Sequence, residues 1–285
     1  MKYVVITGTS SGIGFATIKY LIDRGYYVFG AVRTKEDADR LDKVYTKNFT
    51  SLVFDLRDED AIAKAVELTK SIVGNDNLFG LINNAANVVS GPMPLIPIEE
   101  MREQFEVNFY GTYNVIQQFL PLLKQNEAQA KGRVLVVTSI SAEIAMPFLG
   151  PYSASKRALS SLCHSLRREF LIYGVDVIEI MPGRVRTGII DKMPKDAGVY
   201  TGTDYEEPMM RRLQTATDAR DFGLDPEVLS EAMLTALTAR KPKTRYVRPD
   251  LYLKGWKIPM LLPARVLDRI LGKQMRLLPE FLKKK

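Results

Sequence analysis

The sequence predicts an α/β protein built on one doubly wound, parallel sheet of about seven strands, with helices on both faces. Short apolar runs alternate with longer stretches of helical spacing along the 285-residue chain. The runs are apolar throughout, as strands covered on both faces must be. No internal repeat or low-complexity linker divides the chain. We therefore expect a single domain over residues 1–285.

The elements follow from these patterns. The runs expected to form strands are residues 3–7, 27–32, 51–54, 78–82, 134–138 and 175–181. Apolar residues at helical spacing predict helices over residues 13–24, 58–73 and 152–173. Gly25 and Gly174 follow the first and last of these helices, and glycine is typical of a helix end.

Two segments depart from this alternation. Residues 188–223 are rich in Gly, Asp, Met and Thr and have weak periodicity, which is typical of a substrate lid, with an ordinary surface excursion as the alternative. Residues 250–285 form a basic extension. Residues 240–285 hold 14 Lys or Arg against three acidic residues, within a whole-chain net charge of +7. Their amphipathic part, residues 256–271, favours a helix that closes the pocket, packs on a second subunit or rests on an anionic membrane.

Composition argues against several classes of function. Cys163 is the only cysteine and His164 the only histidine, so we expect no disulfide and no metal site. No run of about 18 apolar residues predicts a transmembrane helix. Met1 leads directly into the first strand with no signal sequence ahead of it, so we expect a cytoplasmic protein. Because the positive charge is confined to the tail, we expect no nucleic-acid partner.

The turn after the first strand carries the pattern Thr-Gly-Thr-Ser-Ser-Gly-Ile-Gly over residues 7–14. Such glycines let the backbone approach a pyrophosphate, which the free N–H groups of the next helix then face. An ATP phosphate loop would carry Lys after the last glycine, where this chain has Phe15. A plain tight turn is the alternative. The cofactor residues predicted here are Gly8, Ser10, Ser11, Gly12, Ile13 and Gly14.

The residue that reads the adenosine ribose is expected about 20 residues further on, at the end of the second strand. Arg33 stands there and can pair with a 2′-phosphate, to which Ser11 can add a hydrogen bond. This favours NADP(H) as the cofactor. Glu36 and Asp37 lie close enough in sequence to keep NAD(H) as the alternative.

The order and spacing of the motifs resemble the short-chain dehydrogenase/reductases. The motifs are the glycine pattern, Asn83-Asn84-Ala85, Ser139, Tyr152-x-x-x-Lys156 and Pro182-Gly183. The resemblance covers about residues 2–190 and, more loosely, the whole chain, and within the family the chain looks like the hydroxysteroid and retinol dehydrogenase branch. It implies a Rossmann-type fold, and we expect a homodimer or homotetramer. Ala86 replaces the usual last glycine of the Asn-Asn-Ala-Gly motif, a change that removes no side-chain chemistry.

The resemblance also implies contacts to the cofactor. They are Asp55 and Leu56 at the adenine, Asn83, Asn84 and Ala85 beside the adenosine ribose, and Pro182, Gly183, Val185 and Thr187 at the nicotinamide end. The resemblance further implies that Asn108 completes a catalytic set with Ser139, Tyr152 and Lys156, where Asn108 holds a water that links Lys156 to solvent.

These residue types suit hydride transfer. Adding a hydride to a ketone builds negative charge on oxygen, so the site needs a proton donor and stabilising hydrogen bonds. Tyr152 can supply the proton, and Lys156, four residues later on one helix face, can lower the phenol pKa and reach the cofactor ribose. Ser139 follows the fifth strand at the edge where ligands bind, and it can hydrogen-bond the substrate oxygen.

The substrate side is expected to be apolar. Residues 88–98, 142–149 and 188–210 are rich in Met and aliphatic side chains, and no charged anchor stands out apart from Glu143 and Arg186. Core packing is the alternative explanation for these apolar residues. The substrate contacts predicted are Ser139, Ile144, Phe148, Leu149, Tyr152 and Met193.

The function predicted is an NADP(H)-dependent oxidoreductase that interconverts an alcohol and its ketone or aldehyde on a bulky apolar molecule such as a steroid, retinoid or lipid. A 3-oxoacyl thioester reductase on the same scaffold is one alternative, with the basic tail as its carrier-docking patch. A non-catalytic, dinucleotide-sensing regulator is another. The intact set of Ser139, Tyr152 and Lys156 argues against the regulator.

Overall fold

The strands and helices alternate as expected. A computed structural model describes residues 1–188 and 198–281, without the side chains of residues 216–221. Its strands are β1 (Lys2–Thr7), β2 (Tyr26–Val32), β3 (Phe49–Val53), β4 (Gly80–Asn83), β5 (Arg133–Val137), β6 (Asp176–Pro182) and β7 (Arg245–Arg248). Its helices are α1 (Gly12–Ile22), α2 (Lys35–Val44), α3 (Glu59–Val73), α4 (Ile98–Phe105), α5 (Thr112–Lys124), α6 (Gly150–Glu169), α7 (Glu206–Phe222), α8 (Pro226–Thr238), α9 (Ile258–Leu261) and α10 (Ala264–Gln274).

The strands form one parallel sheet in the order β3-β2-β1-β4-β5-β6-β7, which confirms the predicted fold class. Both faces are covered, because successive residues of a strand point to opposite faces. On β1, Val5 packs with α3, α5 and α6, whereas Val4 and Ile6 pack with α1, α2 and α8. All three side chains are fully buried. This is the reason that consecutive residues of β1, and not only alternate ones, are apolar.

Local side chains and glycines set several helix ends. Asp58 accepts the N–H of Ala61 at 2.9 Å where α3 begins, and so satisfies one of the unpaired donors of a helix start. α6 begins at Gly150, two residues before the predicted start, and continues into a 3-10 turn over Phe170–Tyr173. The chain then leaves the helix at Gly174, whose φ of 66° lies in the left-handed region that glycine adopts without strain.

The strand order reverses between β1 and β4, which pair in parallel with Ile6 opposite Ile82. Loops at the carboxyl ends of these two strands diverge to opposite faces, and a crevice opens between them. The glycine turn follows β1 at this point, and Asn84 follows β4. The fold therefore places both predicted cofactor motifs at one edge of the sheet.

Two parts of the chain differ from the sequence expectation. β7 is only four residues long and has Arg at both ends, so hydrophobic alternation did not indicate it, yet it pairs with Glu179–Pro182 of β6. The segment 188–223 is not irregular throughout, because residues 206–222 form α7. Residues 189–197 of that segment lie outside the described residues, and its role as a lid stays a prediction.

The basic C-terminal extension packs back onto the domain, one of the three arrangements expected for it. Trp256, in a π-helical turn over Tyr252–Lys257, packs against Ile144. α10 turns Leu267 and Leu271 toward a large cavity at the carboxyl edge of the sheet. Among the described helices, none has the length and apolar character needed to cross a bilayer.

Candidate active site

A cavity of about 600 Å³ lies at the carboxyl ends of β1 to β6. Its size is that of a typical cofactor or ligand site. The predicted residues that line it are Gly8, Ser10, Ser11, Gly12, Ile13, Arg33, Asp55, Leu56, Asn84, Ala85, Ser139, Ile144, Leu149, Tyr152, Lys156, Pro182, Gly183, Val185 and Thr187. Gly14, Asn108 and Phe148 lie behind the wall, and Met193 lies outside the described residues.

The glycine turn forms a cradle that side chains would fill. Gly8 has a φ of +70°, and a Cβ there would lie 2.6 Å from the Cα of Ala85. Gly12 has a φ of +61°, and its Cβ would lie 3.1 Å from the side chain of Thr187. A Cβ at Gly14 would overlap the carbonyl oxygen of Gly8. Because the α1 N-terminus opens on this cradle, the residues present fit the pyrophosphate of a dinucleotide.

Asn84 holds the glycine turn in place. Its Nδ2 donates to the carbonyl oxygens of Thr7 and Gly8, both at 3.0 Å. The Thr7 hydroxyl in turn accepts the N–H groups of Asn84 and Ala85, also at 3.0 Å. The side-chain amide nitrogen of Asn84 is therefore used on the turn, and the residue shapes the cradle from behind while its surface lines the cavity.

Arg33 stands exposed in the wall at the end of β2, where a 2′-phosphate reader was predicted. Asp37 is turned instead to Arg40, at 2.7 Å, and its N–H is capped by Thr34. Arg40 also donates to the carbonyl oxygen of Ser10 at 2.7 Å. Asp37, one of the two acids that could have favoured NAD(H), is thus paired with an arginine that sequence reasoning missed.

Asp55 is fixed by a second arginine that the sequence did not single out. It accepts from the backbone N–H, Nε and Nη2 of Arg57, each at 2.9 Å. These hydrogen bonds hold the pKa of the Asp55 carboxyl below its usual range. Asp55 therefore stays ionised as a rigid part of the cavity wall, beside the buried Leu56.

Ser139 and Tyr152 both lie in the cavity wall, where the Ser139 hydroxyl favours the ionised form of the Tyr152 phenol and so lowers its pKa. Ser139 accepts the N–H of Ser141 at 3.1 Å, so its hydroxyl hydrogen is available to donate. Burial raises the pKa of Tyr152, and the Ser139 hydroxyl opposes this only in part. The expected lowering of the Tyr152 pKa is wrong for the protein alone, because desolvation of the phenolate dominates.

Lys156 is 2% exposed, and its Nζ donates to the carbonyl oxygen of Val137 at 2.8 Å. Nζ lies 5.7 Å from the centre of the Tyr152 ring. Burial lowers the pKa of Lys156 to about 8. One of the three N–H donors of the ammonium is used on Val137, and Lys156 itself lines the cavity.

Asn108 is fully buried in a π-helical segment, Glu106–Gly111. Its amide exchanges two hydrogen bonds with the backbone of Asn87, at 2.8 and 3.0 Å, and donates to the hydroxyl of Ser155 at 3.1 Å. Ser155 donates onward to the carbonyl oxygen of Tyr152 at 2.8 Å. These contacts of the Asn108 amide position the helix that carries Tyr152, and the water expected at Asn108 stays a prediction.

The substrate end differs from the prediction at Phe148. Its ring is buried behind the wall against Met209 and Met275, and its backbone has a left-handed φ of 66°. Ile144 and Leu149 line the cavity as predicted. Most of the remaining substrate wall comes from α7 and the C-terminal segment, which sequence reasoning did not resolve residue by residue. These residues are Arg212, Thr215, Lys254, Pro259, Leu267, Leu271, Gln274 and Met275.

The two charged residues that the sequence offered as substrate contacts, Glu143 and Arg186, form ion pairs within the protein instead. Glu143 pairs with Arg157 and, at 3.1 Å, with Arg245. Arg186 pairs with Asp225. The structure brings Arg212 and Lys254 into the substrate wall instead, and burial lowers the pKa of Arg212 to about 10.

Comparison with known proteins decides the family. The sequence model described as short chain dehydrogenase matches residues 2–198. The chain belongs to the short-chain dehydrogenase family. The predicted family and the enzyme class, a short-chain dehydrogenase/reductase, are confirmed.

Relatives of this short-chain dehydrogenase align along nearly its whole length. It is 39% identical over 281 residues to the NADPH-dependent 3-dehydrocapnine reductase of Ornithobacterium rhinotracheale, covering 98% of this chain and 99% of the relative. It is 31% identical over 288 residues to the human Dehydrogenase/reductase SDR family member 9, covering 96% and 88%. A crystal structure of a short chain dehydrogenase from Burkholderia cenocepacia in complex with NADP has the same fold, with a TM-score of 0.72, 23% identity and coverage of 95% and 99%.

Proposed function

We propose that this short-chain dehydrogenase is an NADP(H)-dependent reductase that converts a ketone on a large, mainly apolar molecule to a secondary alcohol. The observation that carries the proposal is the placement of Ser139, Tyr152 and Lys156 in one cavity with the glycine cradle and with the apolar wall from α10. The family supplies the reaction class. The apolar wall supports a large apolar substrate, and the protonated phenol of Tyr152 supports reduction of a ketone.

The raised pKa of Tyr152 keeps the phenol in the protonated form that ketone reduction uses. A phenol with a raised pKa keeps its proton at neutral pH, and that is the form which gives a proton to a ketone oxygen. The Ser139 hydroxyl donates to the same oxygen as negative charge develops there. Below about pH 8 Lys156 is positively charged and stabilises that charge from beneath the ring. When bound, the reduced nicotinamide supplies the hydride.

Two observations support NADP(H) as the cofactor. Arg33 is exposed in the wall, where it offers a guanidinium to a 2′-phosphate, and Asp37 is neutralised by Arg40. The Ornithobacterium relative, 39% identical, is named as NADPH-dependent. NAD(H) remains the alternative.

The proposal is tested by following the absorbance of NADPH during incubation with long-chain ketones, steroid ketones, retinal and an acetoacetyl thioester. Tyr152→Phe is expected to lower turnover at least about 100-fold, because it removes the proton donor. Tyr110→Phe, at an exposed tyrosine, is the matched control and is expected to retain full activity.

Full turnover by Tyr152→Phe would overturn the mechanism. Rapid reduction of the acetoacetyl thioester with no reduction of the ketones would favour the thioester reductase. Dinucleotide binding without reduction of any substrate would favour the regulator.

We also propose that the outer side of the C-terminal extension contacts the surface of an anionic membrane. Its exposed large apolar residues are Leu251, Tyr252, Leu253, Ile258, Met260, Leu261, Val266, Ile270 and Leu277. Basic residues flank them, so anionic vesicles are expected to bind the protein and neutral vesicles are not. Self-association without vesicle binding would assign the surface to a homodimer or homotetramer instead. The cytoplasmic location stays a prediction.

A further inference from the structure

Arg40 links the glycine turn to the helix that follows β2. It lies on α2, and its Nη2 donates to the carbonyl oxygen of Ser10 at 2.7 Å. The same nitrogen donates to the carboxylate of Asp37, also at 2.7 Å. Because one atom of Arg40 bonds both groups, the Asp37 carboxylate lies within two hydrogen-bond lengths of Ser10, which lines the cavity.

The carboxylate of Asp37 is held in this position at both of its oxygens. Arg40 bonds one oxygen, and the Thr34 hydroxyl donates to the other at 3.4 Å. Thr34 also accepts the N–H of Asp37 at 3.2 Å where α2 begins. Thr34 directly follows Arg33, the exposed cation of the cavity wall. The structure thus fixes an acid beside the place where a 2′-phosphate is expected.

NADP(H) and NAD(H) differ only in the group on the 2′ carbon of the adenosine ribose. A phosphate monoester carries a charge of about −1.5 to −2 at neutral pH, whereas a hydroxyl is neutral. A nearby carboxylate repels the phosphate and can accept a hydrogen bond from the hydroxyl. An acid close to the end of β2 therefore selects NAD(H) unless another group cancels its charge.

Arg40 supplies the cancelling charge at Asp37. The side chain of Arg40 is 46% exposed and that of Asp37 is 33% exposed, so water screens the two charges in part. Partial screening limits the effect of one such charge on a bound phosphate to about tenfold in affinity. Glu36, the other acid at the start of α2, is exposed, and water screens its charge more fully.

We propose that Arg40 sets the preference for NADP(H) by cancelling the charge of Asp37, and that Asp37 becomes the acid that selects NAD(H) when Arg40 is removed. Arg40 is a positioning residue in this role, because it acts on the cofactor through Asp37. The proposal rests on the proposed use of NADP(H), to which it adds a specificity-determining pair beside Arg33.

The test measures the Kd of NADPH and of NADH from the fluorescence of the reduced nicotinamide at low ionic strength, which needs no substrate. Arg40→Met is expected to lower the ratio of the NADH Kd to the NADPH Kd about tenfold. Adding Asp37→Asn should return the ratio to within about threefold of the wild type. Arg40→Lys should keep most of the ratio, because the charge is kept. Arg102→Met is the matched control: Arg102 makes an exposed pair of the same spacing with Glu99 on α4, and its loss should leave the ratio unchanged.

An unchanged ratio in Arg40→Met would overturn the proposal, and so would a fall that Asp37→Asn does not reverse. Equal weakening of both cofactors leaves the ratio unchanged, and it would mean that Arg40 only stiffens the cradle that both cofactors share. Arg40→Gln gives the same comparison if Arg40→Met does not fold. Reduction of none of the ketones would instead overturn the proposed reductase, and the two Kd values would still decide the role of Arg40.

Discussion

The Nζ atom of Lys156 lies 5.7 Å from the centre of the Tyr152 ring while it donates to the carbonyl oxygen of Val137 at 2.8 Å. The one-turn spacing on α6 brings cation and phenol together, and the end of β5 fixes the ammonium from below. Burial acts on both groups, raising the pKa of Tyr152 and lowering that of Lys156 to about 8. Burial disfavours the charged form of both groups. Other interactions of the fold must therefore offset the free-energy cost of keeping them in the site.

Lys156→Met is expected to stabilise the fold while it removes activity. The folded-state pKa of about 8 lies below the ordinary value of 10.5, so the folded protein holds this proton less tightly than the unfolded chain does. Stability of the wild-type protein should then rise with pH between these two values. At pH 7 the variant should gain about 1–3 kcal/mol, since a buried charge is replaced by an apolar side chain. Urea unfolding at pH 7 and near pH 10 checks this, and an identical pH dependence of both proteins would contradict it.

Gly8→Ala is expected to distort the cofactor cradle for two reasons. The new Cβ would clash with a neighbouring residue, and alanine is strained at the φ of this position. Its Cβ would lie 2.6 Å from backbone of Ala85, at a φ of +70°. Gly74→Ala is the matched control, because Gly74 has a φ of +64° and open space around it. The control should lose about 1–3 kcal/mol from its backbone conformation alone, since Gly74 has a ψ of −128°. Gly8→Ala should lose at least about 1 kcal/mol more and bind NADPH at least about tenfold more weakly. Thermal unfolding and NADPH fluorescence measure the two effects, and equal losses in both variants would refute the crowding.

The first six strands and the doubly wound order were predictable because burial on both faces leaves a local signal in each strand. β7 leaves no such signal: Arg245 and Arg248 end a four-residue strand that is held only by pairing with β6. The helical state of residues 206–222 was missed for a related reason. α7 has no clear apolar stripe, so its pattern did not separate it from a loop.

The catalytic and glycine motifs were predictable because their chemistry depends on close spacing or on position after a strand. The arginines that complete the site depend on contacts between distant parts of the chain. Arg40 reaches Ser10 across 30 residues, and Arg212 enters the wall from a helix that follows the matched motifs. Asn108 was placed by resemblance, but only the structure shows that its amide contacts Asn87 and Ser155.

Arg33→Asp is expected to shift the cofactor preference toward NAD(H). The change replaces a cation in the wall by an anion that repels a 2′-phosphate and accepts from a 2′-hydroxyl. The ratio of kcat/KM for NADPH over NADH should fall at least about 100-fold. Lys43→Asp makes the same charge reversal at an exposed position on α2 and is expected to leave the ratio within about threefold. An unchanged ratio in Arg33→Asp would refute the role given to Arg33.

Arg245→Met is expected to destabilise the protein because Glu179 lies buried beneath the loop that carries Ser139. Glu179 is 1% exposed and accepts from Arg245 Nε at 2.8 Å and from the Thr138 hydroxyl at 3.2 Å. Removing the arginine leaves a buried carboxylate without its ion pair, at a cost of about 3–5 kcal/mol. Adding Glu179→Gln should recover more than half of that loss, because the charge is then gone. Lys19→Met, which breaks an exposed pair, should cost under about 1 kcal/mol. Urea unfolding of the wild type, Arg245→Met, Glu179→Gln, the double variant and Lys19→Met measures these differences, and additive losses in the double variant would show that the two residues are not coupled.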